Sequence, residues 1–347
     1  MKYARILLGM AVVVLLACNQ KAQNRTGHIS PSFYHWKTSF DPTISDREAL
    51  KRNAVKDLYL RFFDVTWDED FKKPVPAAQL RVADKNFFTE TNISVIPTVF
   101  ITNECIRFST PEQCGILADR IHALINDIVA ANQFTDIREI QIDCDWTAAT
   151  REKYFALLTR LQQLDSGRSY SATIRLFQVK YRTEAGVPPV KRGLLMCYNM
   201  GNLKDPATIN SILNIGDLQK YTGNLAAYPL PLDVAFPIFS WYVLFSAHQY
   251  KGLISASDTT GITVISNRSG NNRFEVLMDT VWRNSALKKG DILRFEDSEV
   301  QDILKAARLL QPLLPSQSRR LSLYHLDSIL LNKYSSNELE TIFRSLD

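Results

Sequence analysis

Between residues 32 and 327 the chain alternates short strand-like runs with helical patterns or long crossovers. The runs fall at residues 32–39, 57–65, 93–102, 138–147, 169–178, 193–201, 232–241 and 320–327. Strands joined by crossovers of a dozen or more residues lie parallel to their neighbours, whereas hairpin-joined strands lie antiparallel. Eight such units predict an α/β chain folded as a (β/α)8 TIM barrel rather than a doubly wound sheet. No Gly-rich turn follows the first run, which argues against a dinucleotide site.

The individual runs support this. Asp57-Leu58-Tyr59-Leu60-Arg61-Phe62-Phe63-Asp64-Val65 is largely aromatic and aliphatic, as a strand covered on both faces should be. Pro97 is awkward for a central strand and is expected to mark a bulge. A helix is predicted from about Ser45, with Ser45 as cap and Glu48 completing a capping box. Pro111 opens a helix to about residue 132, with Ile116, Leu117, Ile121, Leu124, Ile125, Ile128 and Val129 on one side. Further helices are expected at 147–164, 205–213, 300–310 and 337–345, the last capped by Ser335 or Ser336. Residues 250–300 break the rhythm with a Gly/Asn/Ser-rich turn at 266–272 and short β-like pieces. They read as a small β-rich insertion before the last strand.

The first residues read as targeting. Lys2 and Arg5 precede an apolar stretch at 6–17 too short to span a bilayer with margin. Leu15-Leu16-Ala17-Cys18 has the form of a lipobox. Residues 1–17 are thus expected to be a lipoprotein signal peptide, with lipid such as palmitate on Cys18, a polar tether over 18–30 and the barrel over 31–347. This predicts a bacterial cell-envelope protein, anchored to the membrane on its periplasmic or surface side and monomeric.

A formal charge of +5 is modest and dispersed, and no basic block interleaves with aromatics, so no nucleic acid is expected as a partner. Beyond Cys18 the cysteines are Cys105, Cys114, Cys144 and Cys197, with no CxxC pair. Cys105 and Cys114 are close enough in sequence to bridge in an oxidising compartment, while Cys144 and Cys197 read as buried small hydrophobes. His35, His248 and His325 lack metal-ligand spacing. No metal and no cofactor are expected.

Residues 138–147 carry the chemistry. As a strand, Gln141, Asp143 and Asp145 face one way and Ile140, Ile142 and Cys144 the other. Two carboxylates two residues apart at the end of a strand, just before a helix, lie where a barrel keeps its active site. The residues ending the other strands would share that mouth: Trp36, Asp64, Asn103, Gln178, Tyr198, Asn199, Trp241 and Asp327. Indole faces stack on sugar rings, and acids and amides hydrogen-bond hydroxyls. Glycoside hydrolysis needs carboxyl groups flanking the scissile bond. The catalytic candidates are therefore Asp143, Asp145 and Asp64, and the substrate-binding candidates Trp36, Gln178, Tyr198, Asn199, Trp241 and Asp327. A structural alternative pairs Asp143 with Arg175 across adjacent strands.

Ile142-Asp143-Cys144-Asp145-Trp146 resembles the fourth-strand signature of family 18 glycoside hydrolases, Asp-x-x-Asp-x-Asp-x-Glu, and Met196-Cys197-Tyr198-Asn199 resembles their sixth-strand Met-x-Tyr-Asp. The extra α+β module of some members is similar to the insertion. The resemblance implies that Asp145 would orient and polarise a substrate N-acetyl group, that Asp143 would tune it, and that Tyr198 would hold it. The departures are equally specific. The family's acid, the closing Glu, falls on Thr147; its first Asp falls on Ile140; the Asp after Tyr falls on Asn199. The chain also resembles a class of bacterial lipoproteins known as a domain of unknown function, through residues 60–65, 141–146 and 198–201, which implies no activity.

The expectation is a lipid-anchored, glycoside-hydrolase-like protein that binds a glycan or oligosaccharide. Hydrolysis would fall to Asp145 and Asp143 with Asp64 as a further acid. The alternatives are a non-catalytic, lectin-like carbohydrate-binding barrel and an envelope interaction protein.

Overall fold

A computed structural model describes residues 27–256 and 260–347. The signal segment, Cys18 and most of the tether lie outside the described residues. Eight parallel strands close on themselves: β1 (Ile29–His35), β2 (Asp57–Asp68), β3 (Ser94–Ile101), β4 (Glu139–Asp143), β5 (Ser169–Arg175), β6 (Arg192–Met196), β7 (Leu232–Pro237) and β8 (Arg319–Tyr324). Each pairs in parallel with the next in sequence, and β8 pairs with β1. The expected TIM barrel is therefore present. Among the described residues no helix is long and apolar enough to cross a membrane.

Helices α1 (Ile44–Arg52), α2 (Pro111–Ala131), α3 (Arg151–Leu164), α4 (Ile215–Tyr221), α5 (Val300–Leu310) and α6 (Ser336–Phe343) contribute to the outer layer. In α2 the buried side chains are Cys114, Leu117, Ala118, Ile121, Ile125 and Ile128, whereas Ile116 points to solvent. Each fully buried aliphatic adds about 1.5–3 kcal/mol. They meet outward-facing barrel residues such as Leu60, Ile140, Ile142 and Cys144 in one continuous core.

The barrel interior is polar at its N-terminal end. Arg320 on β8 reaches Asp57 on β2 (2.9 Å), Glu139 on β4 (2.8 Å) and Asp233 on β7 (3.3 Å). Asp233 also holds Arg192 on β6 at 2.7 Å. Above this ionic floor Tyr34 stacks on Tyr59 with centroids 4.5 Å apart and donates to Gln141.

Several expectations are corrected. Helix α1 starts one residue before Ser45; Thr43 caps it and Asp46 completes the box, since Thr43 sits outside the helix where its hydroxyl reaches the Asp46 amide. The fifth run ends as a strand at Arg175 and turns into a short helix at Leu176–Lys180. Residues 205–213 are not helical: Asn202 and Asp205 side chains capture nearby amides in turns, and the helix comes at α4, capped by Asn214. The Pro97 bulge lies in the partner strand, where register shifts between Arg61 and Phe63. Cys105 and Cys114 are separate buried thiols; burial pushes Cys105 up to about 12.

The insertion begins at Trp241 rather than 250. The seventh barrel strand ends at Pro237, and Trp241–Ser246 opens an antiparallel five-stranded sheet with Gln249–Ser255, Ser266–Arg268, Arg273–Val276 and Ile292–Glu296. A hairpin, Thr280–Trp282 with Ser285–Leu287, lies beside it. Its two-residue turn, Arg283-Asn284, has positive φ at both positions (51° and 61°), as a type I′ turn demands. The insertion has its own core of Tyr242, Leu244, Ile254, Val276, Leu287 and Leu293.

Candidate functional site

A cleft of about 720 Å³ opens at the C-terminal ends of the barrel strands. Its walls are aromatic because Trp36 follows β1, Phe239 lies two residues past β7 and Tyr324 closes β8, so all three stand at the mouth. Trp36 lies 6.1 Å from Phe100 and 5.8 Å from Tyr324; Tyr324 lies 5.7 Å from Phe239, and Phe239 5.2 Å from Trp241. Tyr198 approaches Tyr324 at 5.2 Å. The Tyr198 hydroxyl is buried and meets no hydrogen-bond partner among the described residues. Asn199 follows at φ 55°, a left-handed conformation that asparagine tolerates.

Asp143 lines the cleft but is only 4% exposed. It accepts a hydrogen bond from Thr173 at 2.5 Å. Burial first, then the like charge of Asp145, pushes its carboxyl up to about 7, against the Thr173 bond and the Arg175 charge. Asp145 is held in a two-pronged pair by Arg175, Nε at 2.5 Å and Nη2 at 2.8 Å. Arg175 thus pairs with Asp145, not with Asp143 as the structural alternative had it. Its guanidinium also borders the cleft.

Asp64 is tied by Arg61 through Nε at 2.7 Å and through Nη2. That guanidinium lies over the Trp36 ring at 5.1 Å and donates to the Trp36 carbonyl. Asp64 therefore supports the Trp36 wall and does not line the cleft. Asp327 lines it and pairs with Lys37 at 2.5 Å while capping the turn at Ile329. Burial works to raise the Asp327 carboxyl, but Lys37 and the Ile329 amide outweigh it and hold it below the usual range. Burial pushes the neighbouring His325 down to about 4.

The structure thus gathers Trp36, Asp143, Tyr198, Asn199, Trp241 and Asp327 around one cleft. Gln178 is a correction: it is fully buried in the helix after β5, accepting from the Arg175 amide and donating to the Trp146 carbonyl. It braces the acidic segment from behind because the chain leaves β5 three residues earlier. Asn103 likewise faces away, accepting from Thr150. Trp146 is buried, stacked on Tyr154 and donating to the Ala185 carbonyl. Residues the sequence reading passed over are Tyr34, Phe100, Phe239 and Tyr324. Tyr34 is two before Trp36, and Tyr324 is four after Arg320, so a period of two carried both.

No protein-family model matches the sequence, and no curated protein does. Solved structures do share the fold. The C-terminal domain of a putative chitinase from Desulfitobacterium hafniense superposes with a TM-score of 0.58 at 9% identity, covering 93% of this chain and 100% of that one. A chitinase from Bacteroides thetaiotaomicron gives 0.53 at 9%, covering 92% and 97%. The spore cortex-lytic enzyme SleL of Bacillus cereus gives 0.52 at 12%, covering 88% and 74%. The chain therefore shares the barrel fold of these structures.

Proposed function

We propose that this chain is a lipid-anchored envelope protein whose barrel cleft binds a glycan without hydrolysing it. One observation carries the reading. A continuous aromatic wall encloses a cleft in which Asp143 is a nearly sealed carboxyl that favours its neutral form below about pH 7, while Asp327 is paired with Lys37. Asp145 and Asp64, the other acids a hydrolytic mechanism would need, are each engaged by an arginine. Rings and hydrogen-bonding groups suit sugar recognition, whereas hydrolysis asks at least for an acid placed to protonate the leaving oxygen. Thr147, where the resemblance expects the acid, has no ionisable group and uses its amide to meet Thr150. Two of the structural neighbours are a chitinase and a putative chitinase domain, so β-1,4-linked N-acetylglucosamine oligomers are the first ligands to test.

Calorimetry with such oligomers and a wider glycan panel, followed by assay for reducing ends, tests this. The expected result is saturable binding with no product. Reducing ends released by the wild type and lost in Asp143→Asn would favour the catalytic alternative in which Asp145, Asp143 and Asp64 act together. An absence of binding across the panel would remove the glycan reading. Anchoring is tested separately: Cys18→Ala should move the protein from the membrane to the soluble fraction and abolish incorporation of labelled palmitate.

A further inference from the structure

We propose that Glu296, in the inserted sheet, is a positioning residue for ligand binding: it fixes the Trp241 wall and the Asn199 loop of the cleft together. This rests on the glycan reading above. Glu296 is 1% exposed and pairs in register with Trp241 across the first and last strands of the insertion. Its Oε2 accepts from Trp241 Nε1 (2.8 Å), the Ser211 amide (2.9 Å) and the Ser211 hydroxyl (2.5 Å). Its Oε1 accepts from Arg294 Nε at 2.7 Å. Arg294 then donates to the carbonyls of Asp205 and Leu203.

The Ser211 carbonyl takes the Met200 amide, and the Ile212 carbonyl takes the Asn199 amide. One carboxylate therefore joins the Trp241 indole to the loop bearing Asn199. The two residues after it continue the seam: the Asp297 carbonyl accepts from Asn210, and Ser298 donates to the Phe239 carbonyl. Phe239 is itself a cleft ring.

A rim tryptophan free to change rotamer would lose that freedom on binding. Fixing it beforehand is worth roughly two- to tenfold in affinity. Packing alone would not require the indole N–H to meet a buried charge, and burying an ion pair is a poor way to gain stability. The arrangement is accounted for by orientation: a charge-assisted bond fixes which face of Trp241 the cleft presents.

The test uses the full-length protein and Glu296→Gln, with chitotetraose as the probe. Indole ¹⁵N–¹H spectra should show the Trp241 signal, assigned by its loss in Trp241→Phe, moving upfield and exchanging faster with solvent. Affinity should fall roughly three- to tenfold by calorimetry. Trp241→Phe should then cost less in the Glu296→Gln background than in the wild type. A wild type that binds with a variant of equal affinity, or a Trp241 signal unmoved by the substitution, overturns the proposal. A wild type that binds no sugar removes the glycan reading, while the indole signal still decides whether Glu296 holds Trp241. Should Glu296→Gln lose cooperative unfolding because Arg294 is left unpaired, the double variant Arg294→Gln/Glu296→Gln, which buries no lone charge, takes its place with the same outcomes.

Discussion

Replacing Asp143 by Asn should stabilise the protein at pH 8 and do little for it at pH 4. In the folded chain the carboxyl is pushed from its ordinary 3.8 up to about 7, chiefly by burial and by Asp145. Well below pH 4 the group is protonated in both folded and unfolded states, so its ionisation takes nothing from stability, and at pH 4 the loss is still small. As pH rises, the unfolded chain releases the proton first. Stability is lost progressively until the folded carboxyl also ionises near pH 7, after which the loss is constant. At about 1.4 kcal/mol per pKa unit, the loss is at most roughly 4 kcal/mol. Asn does not titrate, and its side-chain oxygen can still accept from Thr173. Urea unfolding of wild type and Asp143→Asn at pH 4, 6 and 8 reads the difference directly. The gap should widen toward pH 8 in favour of the variant. A gap independent of pH, or a wild type that gains on the variant as pH rises, would show that the carboxyl is not held neutral.

Arg175→Gln releases Asp145 from its cation. It should cost roughly 2 kcal/mol at pH 8, less than a fully buried pair would, and should move the pH at which Asp143 loses its proton upward in the same unfolding series. Thr147→Glu restores an acid to the signature, yet Asp145 stays bound to Arg175, so product assays should still show no reducing ends. Trp36→Ala should weaken oligosaccharide binding about tenfold, near 1.4 kcal/mol, with the unfolding midpoint as the control for folding. Arg320→Met leaves Asp57, Glu139 and Asp233 without their shared cation and should destabilise by roughly 3–5 kcal/mol in urea.

The barrel was legible because its evidence is local. Runs such as residues 57–65 can satisfy their backbone and bury both faces only as central strands, and α2 declares itself through Pro111 and an apolar stripe. The cleft was legible wherever a side chain's direction followed from strand alternation, as for Trp36, Asp143 and Tyr198. It failed where the chain left its strand early. Gln178 lies on a helical turn that begins after Arg175, and nothing in Leu176-Phe177-Gln178 marks the change. Trp241 was assigned to the right cleft but the wrong element, since Pro237 ends the strand and Trp241 starts the inserted sheet. The partner of Arg175 was also out of reach: Asp143 and Asp145 are two residues apart on one face, and only the bend of the chain after Asp143 decides which one the guanidinium meets.

The ionic floor bears on how such a chain could be divided. Asp57 and Glu139 belong to the first four strands, whereas Arg320 arrives with the last. A fragment ending after β4 would carry two acids whose counter-charge is not yet made, and a fragment starting at β5 would hold a cation designed for three carboxylates and offered one. Neither half is electrically complete, so this barrel is ill suited to assembly from autonomous halves, and closure by its final strand becomes the event on which the whole cylinder depends.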